Sequence, residues 1–417
     1  MTLALNDYER AIANGVEGEA AAMAMRILSE TGRLLGAPRL IPVVSAHIDG
    51  AVYHGDSGVY FGEKLAEGGG TVAVPTTLNV GGLDLVNHTV RQTEYGHGMA
   101  LRLMRAYEAM GCRPTWTCAP YQAGHRPKVG DQVAWGESNA VAFCNSVLGA
   151  RTNRYGDFLD ICCAILGRVP DYGLHRTENR RAKVLVDVSA LPDQLKQLDV
   201  LYPVLGYWYG QAIGTSIGVV SGLSPTMTED QLKAFGAAAA SSGAVGLFHI
   251  AGVTPEAPTV AVALGNLRPK SIIKLDPADL RAIRDKLSNA TASRIDAVAL
   301  GSPHFSNEEF RQLEALLGGR KVGIPFFVCT GRDVVRALEA EGRAASLRES
   351  GVTVVADTCV VVAPILPEKV GVLMTNSGKF AHYTPSNTGY GVIYGSLEDC
   401  VESAMTGAVT RDERIWS

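Results

Sequence analysis

Residues 295–317 read IDAVALGSPHFSNEEFRQLEALL, and the order of chemical types in this stretch decides the fold class. Ile295 to Leu300 is a short, mainly apolar run of strand length. Gly301-Ser302-Pro303-His304 interrupts it, and Ser306 with Glu309 three residues on forms a capping box that opens the helix NEEFRQLEALL. The alternation continues with a strand from Val322 to Val328, a helix from Asp333 to Arg348, a strand from Val352 to Ala356 and another from Val370 to Met374. Strands alternating with helices of this length predict right-handed βαβ units and a mainly parallel sheet, an α/β fold that binds ligands beyond the carboxyl ends of its strands. Those ends are polar or thiol-bearing: Gly301 to His304, Cys329-Thr330-Gly331-Arg332, Asp357-Thr358-Cys359 and Thr375-Asn376-Ser377-Gly378-Lys379.

Outward from this core, Gly18 to Leu35 reads as a packing helix, with Ala22, Met23, Met25, Ile27 and Leu28 on one stripe. LIPVVSAHIDG and GGGTVAVPTTLNVGG supply two short strands with polar exits, Pro114 to Cys118 a third, and AWGESNAVAFCNSVLGARTNR a buried helix with polar ends. A chain of 417 residues exceeds one compact core and predicts two or three α/β units, with approximate sub-lobes 1–110, 111–290 and 291–417. No period of 20 to 50 residues marks a solenoid. The 46 glycines are spread through apolar runs, which suits tight strand-to-loop turns and excludes collagen and low-complexity disorder. Lys+Arg 38 against Asp+Glu 42 leaves a net charge of -4, so nucleic acid is not an expected partner. Asp7, Glu9 and Arg10 stand where a secretory leader would be apolar, and no apolar run reaches the ~18 residues of a membrane span, so a cytoplasmic protein with no membrane partner is expected.

Eight cysteines in a cytosolic chain read as core residues, metal ligands or catalytic thiols rather than disulfides. Cys329 and Cys359 leave strands joined by one helical segment, which predicts adjacent strands and a shared rim, and Cys118 ends TWTC. Three such thiols could hold an iron–sulfur cluster or an open metal site; equally, each is a small hydrophobe suited to a core. Cys162 and Cys163 read as core, and Cys112, Cys144 and Cys400 sit in helical or helix-flanking contexts. Gly68-Gly69-Gly70 precedes its strand, where a dinucleotide-binding turn follows one, and GVLMTNSGKF lacks the spacing of a phosphate-binding loop. His47, Asp49, Asp56, Glu137, Arg151 and His304 lie in turns rich in Gly, Ser, Thr and Asn. Together, with Arg151 able to grip a carboxylate through two parallel bonds, they suggest a small anionic or zwitterionic ligand.

Eight segments, AHIDGAVYHGDSG, VPTTLNVGGLD, TCAPYQAG, AWGESNAVAFCNSVLGARTNR, YGLH, GSPHFS, ADTCVVVAPI and TNSGK, resemble the motifs of the aconitase X large subunit in family order. The resemblance implies three aconitase-like α/β/α domains around a central cleft and a hydro-lyase activity. It also implies an iron–sulfur centre held by three cysteines, [2Fe-2S] by preference with [4Fe-4S] or mononuclear iron as alternatives. A small swivel-domain subunit is the implied partner, because the sequence ends at Trp416-Ser417 without that segment. Cys118 in TCAPY and Cys359 in ADTC match the family's ligand motifs. Many relatives carry cysteine where this chain has Ser302; Cys329 is the candidate third ligand and Ser302 the alternative position.

The family's branches dehydrate cis-3-hydroxy-L-proline or mevalonate 5-phosphate, and the pairing of Cys329 with Ser302 resembles the first. Loss of water across Cα and Cβ needs a Lewis acid for the leaving hydroxide and a positioned base for the Cα proton. Asp56, Thr76, Asn79, Ser138, Asn139, Arg151 and Lys379 are the expected substrate-holding residues. The base is expected on the small subunit, with Ser377 and His47 as internal candidates. The rival readings are a mevalonate 5-phosphate dehydratase, a non-enzymatic iron–sulfur sensor or scaffold, and a set of purely structural thiols.

Overall fold

The computed structural model describes residues 3–416 and divides the chain into two compact units, one running to Leu83 and resuming at Gln92–Arg181, the other Asp84–Arg91 with Ala182 onward. The first unit contains helices α1 (Asp7–Ala13), α2 (Glu19–Leu34), α3 (Asp56–Glu67), α4 (Glu94–Ala109), α5 (Ser138–Phe143) and α6 (Leu159–Leu166). Its strands are β1 (Leu40–Pro42), β2 (Ala46–Ile48), β3 (Thr76–Leu78), β4 (Ala134–Trp135) and β5 (Arg168–Pro170). β2 runs parallel to both β3 and β4, and β1 pairs antiparallel with β5. The expected helix over 18–35 is α2, started after Gly18 and burying Ala22, Met25 and Leu28.

The expected strand from Pro114 to Cys118 does not form. Trp116 takes a left-handed φ of 44°, which an extended strand cannot contain. The Thr115 hydroxyl instead bridges both backbone groups of Leu78, at 3.1 and 2.8 Å, and Thr117 N donates to the Leu78 carbonyl. Side chain thus replaces ladder, and the segment follows β3 as an irregular strip. After α5 the backbone widens into one π-helical turn, Cys144–Leu148, closed by Gly149 in the left-handed region.

The second unit holds two parallel sheets. The first consists of β6 (Val184–Asp187), β7 (Gly218–Ser221), β8 (His249–Ile250) and β9 (Ser271–Lys274), in the order β8-β7-β6-β9. Helices α7 (Leu201–Ile213), α8 (Glu229–Gly243), α9 (Val260–Ala263) and α10 (Pro277–Lys286) accompany it. The other is built from β10 (Ala297–Leu300), β11 (Phe326–Thr330), β12 (Val352–Ala356), β13 (Val372–Thr375) and β14 (Gly391–Tyr394), in the order β12-β11-β10-β13-β14. Its helices are α11 (Asn307–Leu317), α12 (Arg332–Ala340), α13 (Arg343–Glu349), α14 (Gly378–Thr388) and α15 (Leu397–Thr406). The Ser306–Glu309 capping box opens α11 as expected. The single helix expected over 333–348 is two, broken where Gly342 adopts a φ of 72°.

Strand alternation sorts the second sheet's side chains. Val298, Leu300, Phe326, Val328, Met374 and Ile393 pack with Phe310, Leu313 and Leu338 in one cluster. Ala297, Ala299, Cys329, Val355 and Leu373 pack with Phe380 and the segment from Cys359 to Leu366 in another. These are the two faces demanded by a period of two, both buried, as in a parallel sheet covered by helices. β11 starts four residues later than expected and reaches Thr330, so Cys329 lies inside the strand and packs on a face rather than standing at the rim.

α7 and α8 cross at backbone contact. A Cβ at Gly206 would lie 2.2 Å from the Phe235 carbonyl oxygen, and one at Gly243 would lie 2.0 Å from that of Gly210. Alanine is favoured over glycine by ~1 kcal/mol within a helix. Gly206→Ala should nevertheless destabilise the protein by about 1–3 kcal/mol through overpacking, lowering its urea midpoint. A raised midpoint would mean that the two helices are not in backbone contact.

His47, His175 and His304 are buried and His125 is half-buried. Burial holds each below the ordinary imidazole range, His125 at about 4, His175 and His304 at about 3, and His47 well below it. All four are neutral when folded and ionise near 6.5 once unfolded. Acid therefore favours the unfolded chain, and each histidine's contribution is complete above 6.5 and lost as pH falls toward the folded value. Below pH 6.5, His125→Gln should lose stability less steeply than the parent, the difference approaching ~1.4 kcal/mol per pH unit. Parallel curves of urea midpoint between pH 6.5 and 4.5 would overturn this.

Candidate functional site

In the five-stranded sheet the chain leaves β10 for β11 on one side and later places β13 on the other, so strand order reverses at β10. Open parallel sheets bind ligands at the carboxyl ends beside such a reversal. Here those ends are Gly301-Ser302-Pro303-His304 and Asn376-Ser377-Gly378-Lys379, and a cavity of about 70 Å³ is lined by Gly301, Ser302, Pro303, Asn376, Ser377 and Gly378, with Lys233 and Glu309 also at its wall.

The 301–304 turn is bound on every side. Phe305 N donates to the Cys329 carbonyl at 3.0 Å, and Thr330 Oγ1 to the Phe305 carbonyl at 2.7 Å. The Lys233 ammonium, 2% exposed, lies 2.8 Å from Asp230, bonds Glu309, and donates to the His304 carbonyl at 3.3 Å. His304 Nε2 faces the Thr358 carbonyl at 3.2 Å. Ser377 caps α14, accepting from Phe380 N at 3.1 Å, and its hydroxyl donates to the Ser302 carbonyl. Ser377 thus both caps α14 and braces the 301–304 turn. Lys379 is half-buried in the first turn of α14, and its charge contributes to keeping His304 neutral. Burial pushes the Asp357 carboxyl up, against the opposing pull of Arg332.

In the first unit a buried polar chain runs through His47, Thr77, His125 and Ser45. Thr77 Oγ1 lies 2.9 Å from His47 Nδ1 and 2.7 Å from His125 Nδ1, and His125 Nε2 lies 2.8 Å from Ser45 Oγ. His47 Nε2 has no hydrogen-bond partner. Asn79 Nδ2 donates to Asp49 Oδ1, while its own Oδ1 is buried without a partner. Asp160 accepts from Asp49 N and Gly50 N through Oδ2, and burial pushes its carboxyl up to about 8. Glu137 caps α5 through Ala140 N at 2.7 Å and accepts from Ser138 Oγ at 3.1 Å.

Several expected substrate-holding residues have visible structural duties. Thr76 Oγ1 donates to the Val74 carbonyl at 2.8 Å, and Asn139 Nδ2 holds the Cys118 carbonyl at 2.8 Å. Asp56 accepts from Tyr95 at 2.7 Å and Tyr53 at 2.9 Å, bonds that keep its carboxyl below the usual range. Arg151 Nη1 donates to Thr177 Oγ1 at 2.7 Å, while its Nε is buried without a partner. His125 was missed by the sequence reading: it lies in a Gly/Pro-rich loop, and only tertiary structure gives it Thr77 as a neighbour.

All eight cysteines are buried. Cys162, Cys163 and Cys400 lie within helices, as expected. Cys329 and Cys359 share one packed cluster of the second unit; Cys118 belongs to the first. Thiols are the donors an iron–sulfur centre takes, so the donor type fits. Among the described residues, no three His, Cys, Asp or Glu side chains gather into a group able to hold a metal ion. No helix of the described residues is long and apolar enough to cross a membrane.

Family models of the aconitase X first, second and third domains match residues 2–178, 182–285 and 295–406. The cis-3-hydroxy-L-proline dehydratase of Pseudomonas aeruginosa is 44% identical over 422 residues, covering 99% of this chain and 72% of that protein. The phosphomevalonate dehydratase large subunit of Thermococcus kodakarensis is 37% identical over 96% of this chain and 99% of its own length. The crystal structure of holo-form aconitase X from Thermococcus kodakaraensis superposes with a TM-score of 0.86 at 36% identity, covering 96% of this chain and all of that one. With most of its length matched by three consecutive domains and nearly all of it by relatives of this similarity, the chain belongs to the aconitase X family.

Proposed function

We propose that this chain is the large, catalytic subunit of a hydro-lyase that removes water from cis-3-hydroxy-L-proline and yields Δ1-pyrroline-2-carboxylate. The observation that carries this reading is the 44% identity, over nearly the whole chain, to a dehydratase of that name. In the reaction the Cα–H and C3–O bonds break, water leaves, and the resulting enamine tautomerises to the cyclic imine.

Cys118, Cys359 and Cys329, with Ser302 as the alternative to the last, would hold an iron–sulfur centre, [2Fe-2S] by preference. Bound there, such a centre supplies Lewis acidity to the departing hydroxyl. The remaining work falls to protein groups. Lys379, in the first turn of α14, offers a cation beside a helix N-terminus, which favours a carboxylate. The buried Oδ1 of Asn79 is an acceptor suited to the ring ammonium. Ser138 and Arg151 complete the proposed substrate set, while Thr76, Asn139 and Asp56 act through backbone and tyrosine contacts.

The base is assigned to a small partner subunit. Two observations support this: the commitment of the Ser377 proton to the Ser302 carbonyl, and the 28% of the Pseudomonas dehydratase that lies outside the match while the archaeal large subunit is covered almost in full. A base brought in by a closing partner would act in a site from which water is excluded.

Iron-loaded protein combined with its small subunit should dehydrate cis-3-hydroxy-L-proline and leave mevalonate 5-phosphate unchanged; the reverse preference would move it to the other branch. The isolated chain should run near background. Strong turnover without the partner would overturn the split site and direct attention to His47. Lys379→Met should lower kcat/KM by about 1.5–3 kcal/mol, the value of a charge-assisted hydrogen bond; an unchanged kcat/KM would remove Lys379 from the substrate set. Cys329→Ala should abolish the visible absorbance of the reconstituted protein and Ser302→Ala retain it, the opposite pattern reversing the choice of third ligand.

A further inference from the structure

We propose that Arg332 and Asp357 form a clamp that aims the Cys359 thiol, making Arg332 a positioning residue for the metal-binding rim; this rests on the reading of Cys359 as a ligand. Asp357 follows β12 directly and takes a φ of 64°, in the left-handed region that side chains other than glycine adopt only when their surroundings over-determine it. The surroundings here come from three different elements. Arg332, first residue of α12, grips Asp357 with a two-bond fork, Nε to Oδ1 at 2.9 Å and Nη2 to Oδ2 at 2.7 Å. Asp84, from the short segment 84–91, accepts from Ala356 N at 3.3 Å. His304 holds the Thr358 carbonyl. Each residue from 356 to 358 is therefore pinned by a separate partner, and the next is Cys359.

Beyond the thiol the backbone is pinned again: the Cys359 carbonyl accepts from both Val362 N and Ala363 N at 3.1 Å. Cys359 is itself only 6% exposed, and its backbone is fixed on both sides. A glycine would make this left-handed turn without strain and without a partner. The chain uses instead a fully buried carboxylate, and a buried ion pair is a poor source of stability but a good source of fixed orientation, most of all when it is a planar guanidinium fork. The exits of β11 and β13 lack the device: Gly331 there is extended, and Ser377 is a simple cap.

The test uses the full chain, metal-free and after reconstitution with iron and sulfide. Arg332→Lys keeps the charge and loses the fork; Asp357→Asn keeps a residue tolerant of the left-handed region and loses the pair. In metal-free protein, both variants should raise the rate at which iodoacetamide alkylates Cys359, followed by mass spectrometry of its peptide, at least tenfold. The alkylation rate of Cys400, compared under conditions where parent and variant are both fully folded, should stay at the parental value. After reconstitution, both should show altered visible circular dichroism and a lower iron stoichiometry. Parental Cys359 reactivity with a parental spectrum would overturn the clamp, and so would equal loosening of Cys359 and Cys400, which marks a general buttress. If reconstitution of the parent protein fails to protect Cys359 from alkylation, the ligand reading falls, while the clamp is still judged by the metal-free rates.

Discussion

Closure of the Gly301–Phe305 turn over the end of β11 is the contact on which the rim of the second unit depends. It requires glycine, because a Cβ at Gly301 would lie 2.0 Å from the Cys329 carbonyl oxygen, and the φ of 91° there is foreign to other residues. Once the turn is seated, its carbonyls become the anchors for everything nearby. Ser302 receives the Ser377 hydroxyl and so fixes the start of α14; His304 receives Lys233 from α8; Phe305 receives Thr330. The His304 ring then reaches the turn after β12. Four strand exits are thus registered against one five-residue loop.

Charge is spent in that region on orientation more than on stability. Lys233 is buried with two carboxylates; its ammonium holds Asp230 below the ordinary carboxylate range, while burial pushes Glu309 up to about 7. One cation thus serves two acids of unequal environment, and the excess negative charge leans on Ser306 at the start of α11. Truncating one partner of such a cluster is costly, since it strands the others in low dielectric. The first unit follows a different rule. Its buried polar chain through His47, Thr77 and His125 is neutral, so orientation there rests on hydrogen bonds between uncharged rings and hydroxyls.

The placement of the two thiols proposed as ligands acquires physical meaning from these supports. Asn139 reaches back from α5 to hold the Cys118 carbonyl, and the Asp357 turn fixes the backbone before Cys359. Both thiols lie on irregular backbone, where no ladder defines the direction of a side chain. A side chain supplied from elsewhere in the fold does that work in each case.

The alternation of strands and helices after residue 295, the capping box at Ser306 and the exit of β12 that leads to Cys359 were legible in the sequence because each depends on neighbours within a few residues. Periodicity, caps and breakers are local, and α11 and β12 appear at the expected residues for that reason. The motif order was equally legible, and with it the family. Other features were not, because they depend on partners far away in the chain. Trp116 could turn left-handed only because Thr115 bonds the backbone of Leu78, 37 residues away. Cys329 moved from rim to face when β11 extended to Thr330, and the Ser377 proton was committed by a carbonyl 75 residues away. Sequence determined which residues are available and which elements form; tertiary structure alone decided which hydroxyl is already bonded, which histidine is neutral and which thiol is held, because burial and long-range hydrogen bonds set those properties.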